Sequence, residues 1–222
     1  MLPESAARTI VGRHSTPVDR EHLDALAGRI LGAVAPLSFD IARSAVDVET
    51  VYRMRYECVI EMGWARPSDF PDGLEYDEYD DDAVHVVCRD ADTIIGCLRL
   101  VFPVAGRDLP TERDFGIKID PPGDALEGGR IVVPARHRAK RSHLVLAGLF
   151  ARSWLIARER SFERTIATAT PQLIELYRGL GARVTVIGPE RPYWGEMRAP
   201  IEVVGAVDTL ARLDPERRHA IE

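Results

Sequence analysis

Charged residues inside apolar segments are the part of this sequence best suited to chemistry. Arg99 lies within an apolar run, and Glu127 and Arg130 stand three positions apart at the start of another. Because an unpaired buried charge is costly, these residues indicate mutual ion pairs or a polar cavity. A carboxylate in a partly apolar cleft has a raised proton affinity, so Glu127 is our candidate for a general base.

An acidic block from Glu75 to Asp82 is a second candidate. Its carboxylates at Asp77 and Asp80 would complement a cationic amine, and Arg55 and Trp64 precede the block. The block lacks the glycine and the terminal glutamate of an EF-hand calcium loop. A solvated surface is the alternative interpretation, because runs of acidic residues are commonly solvated.

Basic side chains form a third cluster. Arg136, Arg138, Lys140 and Arg141 precede a helix that we predict from Ser142. Cations are unfavourable at a helix N-terminus without an anion, so we interpret the cluster as a site for an acidic partner, with a solvated loop as the alternative. The isoelectric point near 5.6 and the lack of a recognition-helix pattern argue against a nucleic-acid partner.

Hydrophobic periodicity predicts the elements that must position these clusters. A helix between two strands, as in residues 129–170, implies a right-handed parallel strand pair. The pattern therefore predicts an α/β fold, with a mixed twisted sheet, a central parallel pair and flanking helices. The predicted helices cover residues 21–34, 46–62, 142–159 and 171–181, and the predicted strands cover residues 37–42, 83–89, 93–101, 129–133, 164–170, 183–187 and 201–204. We predict long irregular segments at residues 64–82 and 103–128, and a basic loop at residues 135–141.

The composition is typical of one globular domain. The chain has 222 residues, of which 45% are hydrophobic, and a formal charge of −6. We expect a disordered extension over residues 1–18 and one domain over residues 19–222. With no secretory signal and no apolar run near the roughly 20 residues of a membrane helix, we expect a cytoplasmic protein without a membrane span. The three cysteines should be reduced thiols, and we expect no metal site.

The clusters, in their order along the chain, resemble the acyl-homoserine-lactone synthases, the autoinducer-making branch of the GNAT superfamily of N-acyltransferases. The resemblance spans residues 46 to 205. It rests on Tyr52-Arg-Met-Arg55, Trp64, Glu75-Tyr-Asp77-Glu-Tyr-Asp80, Ile95-Gly-Cys-Leu-Arg99-Leu100 and Glu127-Gly-Gly-Arg130. The sequence departs from the family where Val59 replaces an aromatic residue, where Gly128 and Gly129 separate the last motif, and in its long N-terminal extension.

The resemblance implies a GNAT-like fold and a quorum-sensing signal synthase. It implies transfer of an acyl chain from an acyl-carrier-protein or CoA thioester to the amine of S-adenosylmethionine, giving an acyl-homoserine lactone, with no cofactor besides these substrates. Glu127, Arg99 and Arg130 would be catalytic. The amine substrate would contact Arg55, Trp64, Asp77 and Asp80.

The donor site is also implied by the resemblance. GNAT enzymes bind pyrophosphate through an R-x-x-G-x-G/A loop, and Arg136-His-Arg-Ala139-Lys-Arg141 has neither glycine. An acyl carrier protein held by Arg136, Arg138, Lys140 and Arg141 is therefore favoured, with Tyr177 near the thioester sulfur. Two alternatives stay open: an N-acyl-amino-acid synthase, and a non-catalytic carrier-binding or regulatory module.

Overall fold

A computed structural model describes residues 9–11, 17–179 and 183–204 of the chain. These residues form helices and strands that alternate along the second half of the chain. The helices are α1 (Pro17–Ala33), α2 (Ala45–Glu61), α3 (Pro110–Phe115), α4 (Ala135–Glu159) and α5 (Pro171–Gly179). The strands are β1 (Thr9–Val11), β2 (Ser38–Ile41), β3 (Val84–Asp90), β4 (Thr93–Val101), β5 (Lys118–Asp120), β6 (Ala125–Val132), β7 (Arg164–Ala169), β8 (Arg183–Val186), β9 (Arg191–Tyr193) and β10 (Glu196–Val204).

The main sheet has the order β2-β3-β4-β6-β7-β10-β8, with β9 paired to the start of β10. Strands β6 and β7 are parallel, and the other pairs in this sheet are antiparallel. The parallel register runs from Ala125↔Arg164 to Glu127↔Ile166. The predicted α/β sheet with a central parallel pair is confirmed.

Helices cover both faces of the sheet. Because side chains of a strand alternate between faces, Val86 and Leu98 pack in one core cluster that includes residues of α4, while Val87 and Cys97 pack in another with residues of α2. Helix α1 packs against α4. None of the helices within residues 17–179 is both long enough and apolar enough to cross a membrane.

Local sequence signals explain several element boundaries. Ser44 caps α2 by accepting a hydrogen bond from the Asp47 N–H at 3.1 Å. Thr170 caps α5 in the same way, with Pro171 in its first turn. The predicted hairpin is confirmed as β3 and β4.

The predicted loop at residues 135–141 is wrong, because these residues form the first two turns of α4. The segment has arginine, lysine and alanine where a phosphate loop would have glycine, and these residues favour helix. The predicted irregular segment at residues 103–128 contains α3, β5 and the first residues of β6. Within the N-terminal extension, β1 pairs with β5 and α1 begins at Pro17.

Candidate functional site

A cavity opens where the two parallel strands of the sheet stop pairing. Their register ends at Glu127↔Ile166, and residues 128–132 of β6 and 167–168 of β7 then line a space of about 220 Å³. The sheet topology thus creates a cleft without any insertion. The predicted site residues that line it are Arg55, Trp64, Arg99, Glu127, Arg130 and Tyr177.

Three arginines and three carboxylates beside this cavity form what we call the charge ring. The arginines project from three different elements, namely α2, β4 and β6, and the carboxylates come from the segment between α2 and β3. The members of the charge ring are Arg55, Arg99, Arg130, Glu75, Asp77 and Asp80.

Two arginines of the charge ring are almost completely buried. Arg55 donates from Nε to Glu75, and from Nη1 and Nη2 to the two Asp80 oxygens at 2.7 and 3.0 Å. Arg99 donates from Nη1 to Asp77 Oδ1 at 2.6 Å and lies 3.0 Å from Asp80 Oδ2. Both arginines therefore bridge two carboxylates, a geometry that fixes their side chains.

Arg130 closes the charge ring. Its Nε donates to Glu75 Oε1 at 3.0 Å and its Nη2 to Asp77 Oδ2 at 3.1 Å. Arg130 has a left-handed φ of +50°, which non-glycine residues rarely adopt. The β4–β6 pairing is also irregular between Cys97 and Arg99. The backbone thus departs from a regular ladder where it carries the site.

The charges of the ring balance one another. Burial opposes ionisation of Asp80, but hydrogen bonds and charges from Arg55 and Arg99 outweigh it and hold the pKa of Asp80 well below its usual range. Burial likewise opposes ionisation of Glu75, whose pKa is lowered by Arg130 and Arg55. The ring therefore carries three positive and three negative groups.

Glu127 stands apart from the charge ring. Its side chain is buried, and its Oε2 accepts a hydrogen bond from the Thr111 backbone N–H of α3 at 2.7 Å. Burial raises the pKa of Glu127 to about 7, although the Thr111 hydrogen bonds and the charges of Arg99 and Arg130 offset part of that effect. A cavity carboxyl that titrates near neutral pH can accept a proton from an amine.

Two tryptophans from distant segments pack at this site. The Arg130 guanidinium carbon lies 4.7 Å from the Trp194 ring centre, and that of Arg198 lies 4.8 Å from the Trp64 ring centre. Gly195 has φ of +70°, and a Cβ there would come within 2.9 Å of Trp64. The β9–β10 turn thus requires glycine and brings both Trp194 and Arg198 to the cavity.

Tyr177 of α5 lines the cavity on the β7 side. Burial raises the pKa of Tyr177 to about 12, so its hydroxyl keeps its proton at neutral pH. Its ring packs edge-to-face against Phe150 of α4, with 6.2 Å between ring centres. The phenol is therefore held as a hydrogen-bond donor.

Two of the predicted donor-binding arginines, Arg136 and Arg138, do not line the cavity. Arg136 pairs with Glu57, and Arg138 lies 3.4 Å from Glu61, both on α2. Arg138 also donates from Nε to the Val133 carbonyl at 2.7 Å. These two arginines lie at the N-terminus of α4. The side chains of Lys140 and Arg141 lie outside the described part of the structure.

The predicted amine contacts Asp77 and Asp80 are also absent from the cavity lining. Both carboxylates bond to arginines of the charge ring. Sequence reasoning missed Trp194 and Arg198, because nothing local marks a turn that the sheet brings to the cavity. In the sequence, Glu75 is marked only as the first residue of the acidic motif. In the described part of the chain, no group of three or more His, Cys, Asp and Glu side chains could hold a metal ion.

This chain is similar in sequence to known proteins. Residues 54–148 match the family model of the GNAT acetyltransferase domain. An acyl-homoserine-lactone synthase of Ralstonia nicotianae is 31% identical over 162 residues, which cover 66% of this chain and 76% of that protein.

Solved structures share the fold. TofI, in a ternary complex with an inhibitor and MTA, is 23% identical with a TM-score of 0.62, covering 80% of this chain and 96% of TofI. BjaI, a CoA-dependent acyl-homoserine lactone synthase, is also 23% identical in its complex with SAM and isopentyl-CoA. Its TM-score is 0.61, and the match covers 78% of this chain and 82% of BjaI.

Proposed function

Because this chain belongs to the acyl-homoserine-lactone synthase family and is an N-acyltransferase of autoinducer synthesis, we propose that its acceptor is S-adenosylmethionine and its donor an acyl-carrier-protein thioester. One observation carries the proposal: Glu127 is a buried cavity carboxyl outside the charge ring, at the point where β6 and β7 diverge. The bound SAM and MTA of the solved relatives support the same acceptor.

The chemistry of thioester aminolysis fits the groups around the cavity. Glu127 takes a proton from the acceptor ammonium, and the freed amine attacks the thioester carbonyl. The C–N bond forms and the C–S bond breaks. The Tyr177 hydroxyl donates a proton to the departing thiolate, and the second proton lost by the amine nitrogen restores the phenol. The acceptor carboxylate then attacks its own γ-carbon, which closes the lactone and expels methylthioadenosine.

The charge ring acts indirectly in this proposal. Because its charges balance, it presents fixed guanidinium groups without attracting either substrate ion strongly. We assign Asp77 and Asp80 the role of positioning Arg99 and Arg130, in place of direct contact with the amine. Buried partners that lock a side chain in one geometry are the usual means of holding a catalytic group.

The donor enters between β6 and β7 in this proposal, with its phosphate near the first turn of α4. Among the described residues no side chain caps that turn, so backbone N–H groups there are available for an anion. Arg136 and Arg138 add positive charge beside it. Their pairing with Glu57 and Glu61 reduces that charge, so the carrier protein must compete with these exposed ion pairs.

An assay that follows both products tests the proposal. The purified full chain is incubated with acyl-carrier thioester and S-adenosylmethionine, and released thiol and methylthioadenosine are measured. We expect equal amounts of the two products, loss of both in Glu127→Gln, and no change in the exposed control Glu49→Gln.

Other outcomes would contradict the proposal. Thiol release with free amino acids, without methylthioadenosine, would identify an N-acyl-amino-acid synthase. No turnover with any amine, together with retained carrier binding, would identify a non-catalytic module. Turnover with acyl-CoA but not with the carrier thioester would overturn the choice of donor.

A further inference from the structure

We propose that Arg198 binds the α-carboxylate of the acyl acceptor, so that Arg198 and Glu127 together select an amino-acid head group. This inference rests on the proposed function, because it concerns the acceptor of the same cavity. It begins from a difference among the four arginines that line the cavity in the described part of the chain: Arg55, Arg99, Arg130 and Arg198.

In three of these arginines, the positive charge is already balanced by carboxylates. Arg55, Arg99 and Arg130 each bridge two carboxylates of the charge ring, and that ring contains as many acids as arginines. A substrate carboxylate placed against them would meet the three acids as well. The ring is therefore a poor site for a second anion.

Arg198 differs from the ring arginines in its partners. Its Nη2 donates to Glu196 at 2.8 Å, but its buried Nε has no hydrogen-bond partner among the described residues. The Glu196 side chain is 34% exposed, so its attraction for Arg198 is weakened by water. Arg198 therefore has an unused hydrogen-bond donor, and Glu196 balances its positive charge only in part.

The position of Arg198 suits a group bound in the cavity. Its guanidinium stacks on Trp64, and its positive charge opposes part of the burial effect that raises the pKa of Tyr177. Stacking leaves the edge of a guanidinium free for a carboxylate, and Arg binds carboxylates through that edge. Arg198 thus contacts Trp64, which is predicted to meet the acceptor, and lines the same cavity as Tyr177, which is predicted to meet the donor sulfur.

The chemistry of the acceptor supplies the complementary charges. An amino-acid head has an ammonium and a carboxylate, and the reaction removes a proton from the ammonium. Once Glu127 has that proton, the neighbouring ammonium no longer balances the acceptor carboxylate. Arg198 is the described cavity cation outside the charge ring, and it neutralises that carboxylate.

A comparison of two acceptors tests this assignment. The full chain is assayed by thiol release with S-adenosylmethionine and with decarboxylated S-adenosylmethionine, which keeps the amine and lacks the carboxylate. We expect the wild-type protein to prefer S-adenosylmethionine by about 10- to 100-fold in kcat/KM, the range for a hydrogen bond between charged groups.

Arg198→Gln should remove that preference. We expect kcat/KM for S-adenosylmethionine to fall about 10- to 100-fold, through KM of the acceptor, with no change for the decarboxylated analogue. The KM of the acyl donor and the pH profile should stay the same. Arg198→Lys should recover part of the loss, and the exposed control Arg53→Gln should resemble wild type.

Three results would overturn the assignment. Equal losses with both acceptors would show a structural role for Arg198, and a rise in donor KM would show that it binds the donor. The wild-type protein provides a test that does not need the variant to fold. If it uses both acceptors equally well, the inference is refuted. If wild type fails to use S-adenosylmethionine, the proposed function fails, and the same comparison with an amino acid and its matching amine still tests Arg198.

Discussion

Two buried arginine clusters lie at opposite ends of the parallel pair β6–β7. At the paired end, Arg164 donates from Nε to Glu202 at 2.6 Å, and from Nη1 to Asp124 at 2.8 Å and to the Asp120 carbonyl at 3.1 Å. At the diverging end, the charge ring borders the cavity. Both clusters contain buried arginines: Arg164, Arg55 and Arg99 are each at most 3% exposed.

The two clusters differ in their surroundings. Arg164 does not line the cavity, and its bonds tie β7 to β10 and to the segment before β6. The charge ring has Glu127 and Arg198 next to it, and these two cavity groups retain capacity for a ligand. Buried charge alone therefore does not identify a site, and neither does a buried donor without a partner, since Arg164 Nη2 has no hydrogen-bond partner among the described residues. What distinguishes the charge ring is the cavity beside it.

The largest expected effect separates Glu127 from the Arg164 cluster. Glu127→Gln should lower kcat by about 10²- to 10⁴-fold, the usual contribution of a general base. Glu202→Gln should leave kcat per folded molecule unchanged. Steady-state thiol release by protein of verified folded fraction measures both values, and a similar loss of kcat in the two variants would break the comparison.

The next effect concerns stability. Arg164→Met should lower the free energy of unfolding by about 3–5 kcal/mol, because Glu202 and Asp124 lose the charge that compensates them. Urea denaturation measures the change. Adding Glu202→Leu should restore part of the loss, and a single variant as stable as wild type would show that the Arg164 cluster is not structural.

A third prediction uses the pH dependence of stability. The pKa of Glu127 is raised to about 7 in the folded protein, so the folded state binds more protons than the unfolded state between pH 4.5 and 7. Stability from this group is therefore lost as pH rises through that window.

Glu127→Gln removes this loss. The variant should be more stable than wild type at pH 8, by up to about 3 kcal/mol, and close to wild type at pH 4.5. Urea denaturation at the two pH values tests the sign. The test compares the difference in unfolding free energy between variant and wild type at the two pH values. If that difference favours the variant less at pH 8 than at pH 4.5, burial is not the main influence on the pKa of Glu127.

The smallest effect is expected at the exposed ion pairs of α4. Arg136→Ala should change the free energy of unfolding by less than about 1 kcal/mol, because the Arg136 and Glu57 side chains are 55% and 40% exposed. The same variant should raise KM for the carrier thioester and leave KM for S-adenosylmethionine unchanged. Equal shifts in both KM values would argue against a donor-specific surface.

The sequence predicted the parts of the fold that depend on local pattern. Periodicity identified α2 and the β3–β4 hairpin, because their apolar residues repeat with the period of one element. It missed the helical start of α4, where the replacement of glycine by good helix formers was interpreted as a basic loop. The family motifs identified Arg99, Glu127 and Arg130 because each motif is continuous in sequence.

The rest of the site depends on long-range pairing. Whether Asp77 faces a ligand or an arginine depends on three elements meeting, which no local pattern encodes. Arg198 reaches the cavity only because β10 lies between β7 and β8. A lone arginine near the end of a chain gives no sign of that placement.

The central claim is that Glu127 is a buried base outside the charge ring, and NMR titration of the glutamate side-chain carboxyl carbons tests it most directly. The account predicts one glutamate that titrates near pH 7 and whose signal disappears in Glu127→Gln. A Glu127 signal that titrates at or below pH 4.5 would contradict the account, because Glu127 would then be ionised by the neighbouring arginines instead of being held ready for an amine proton.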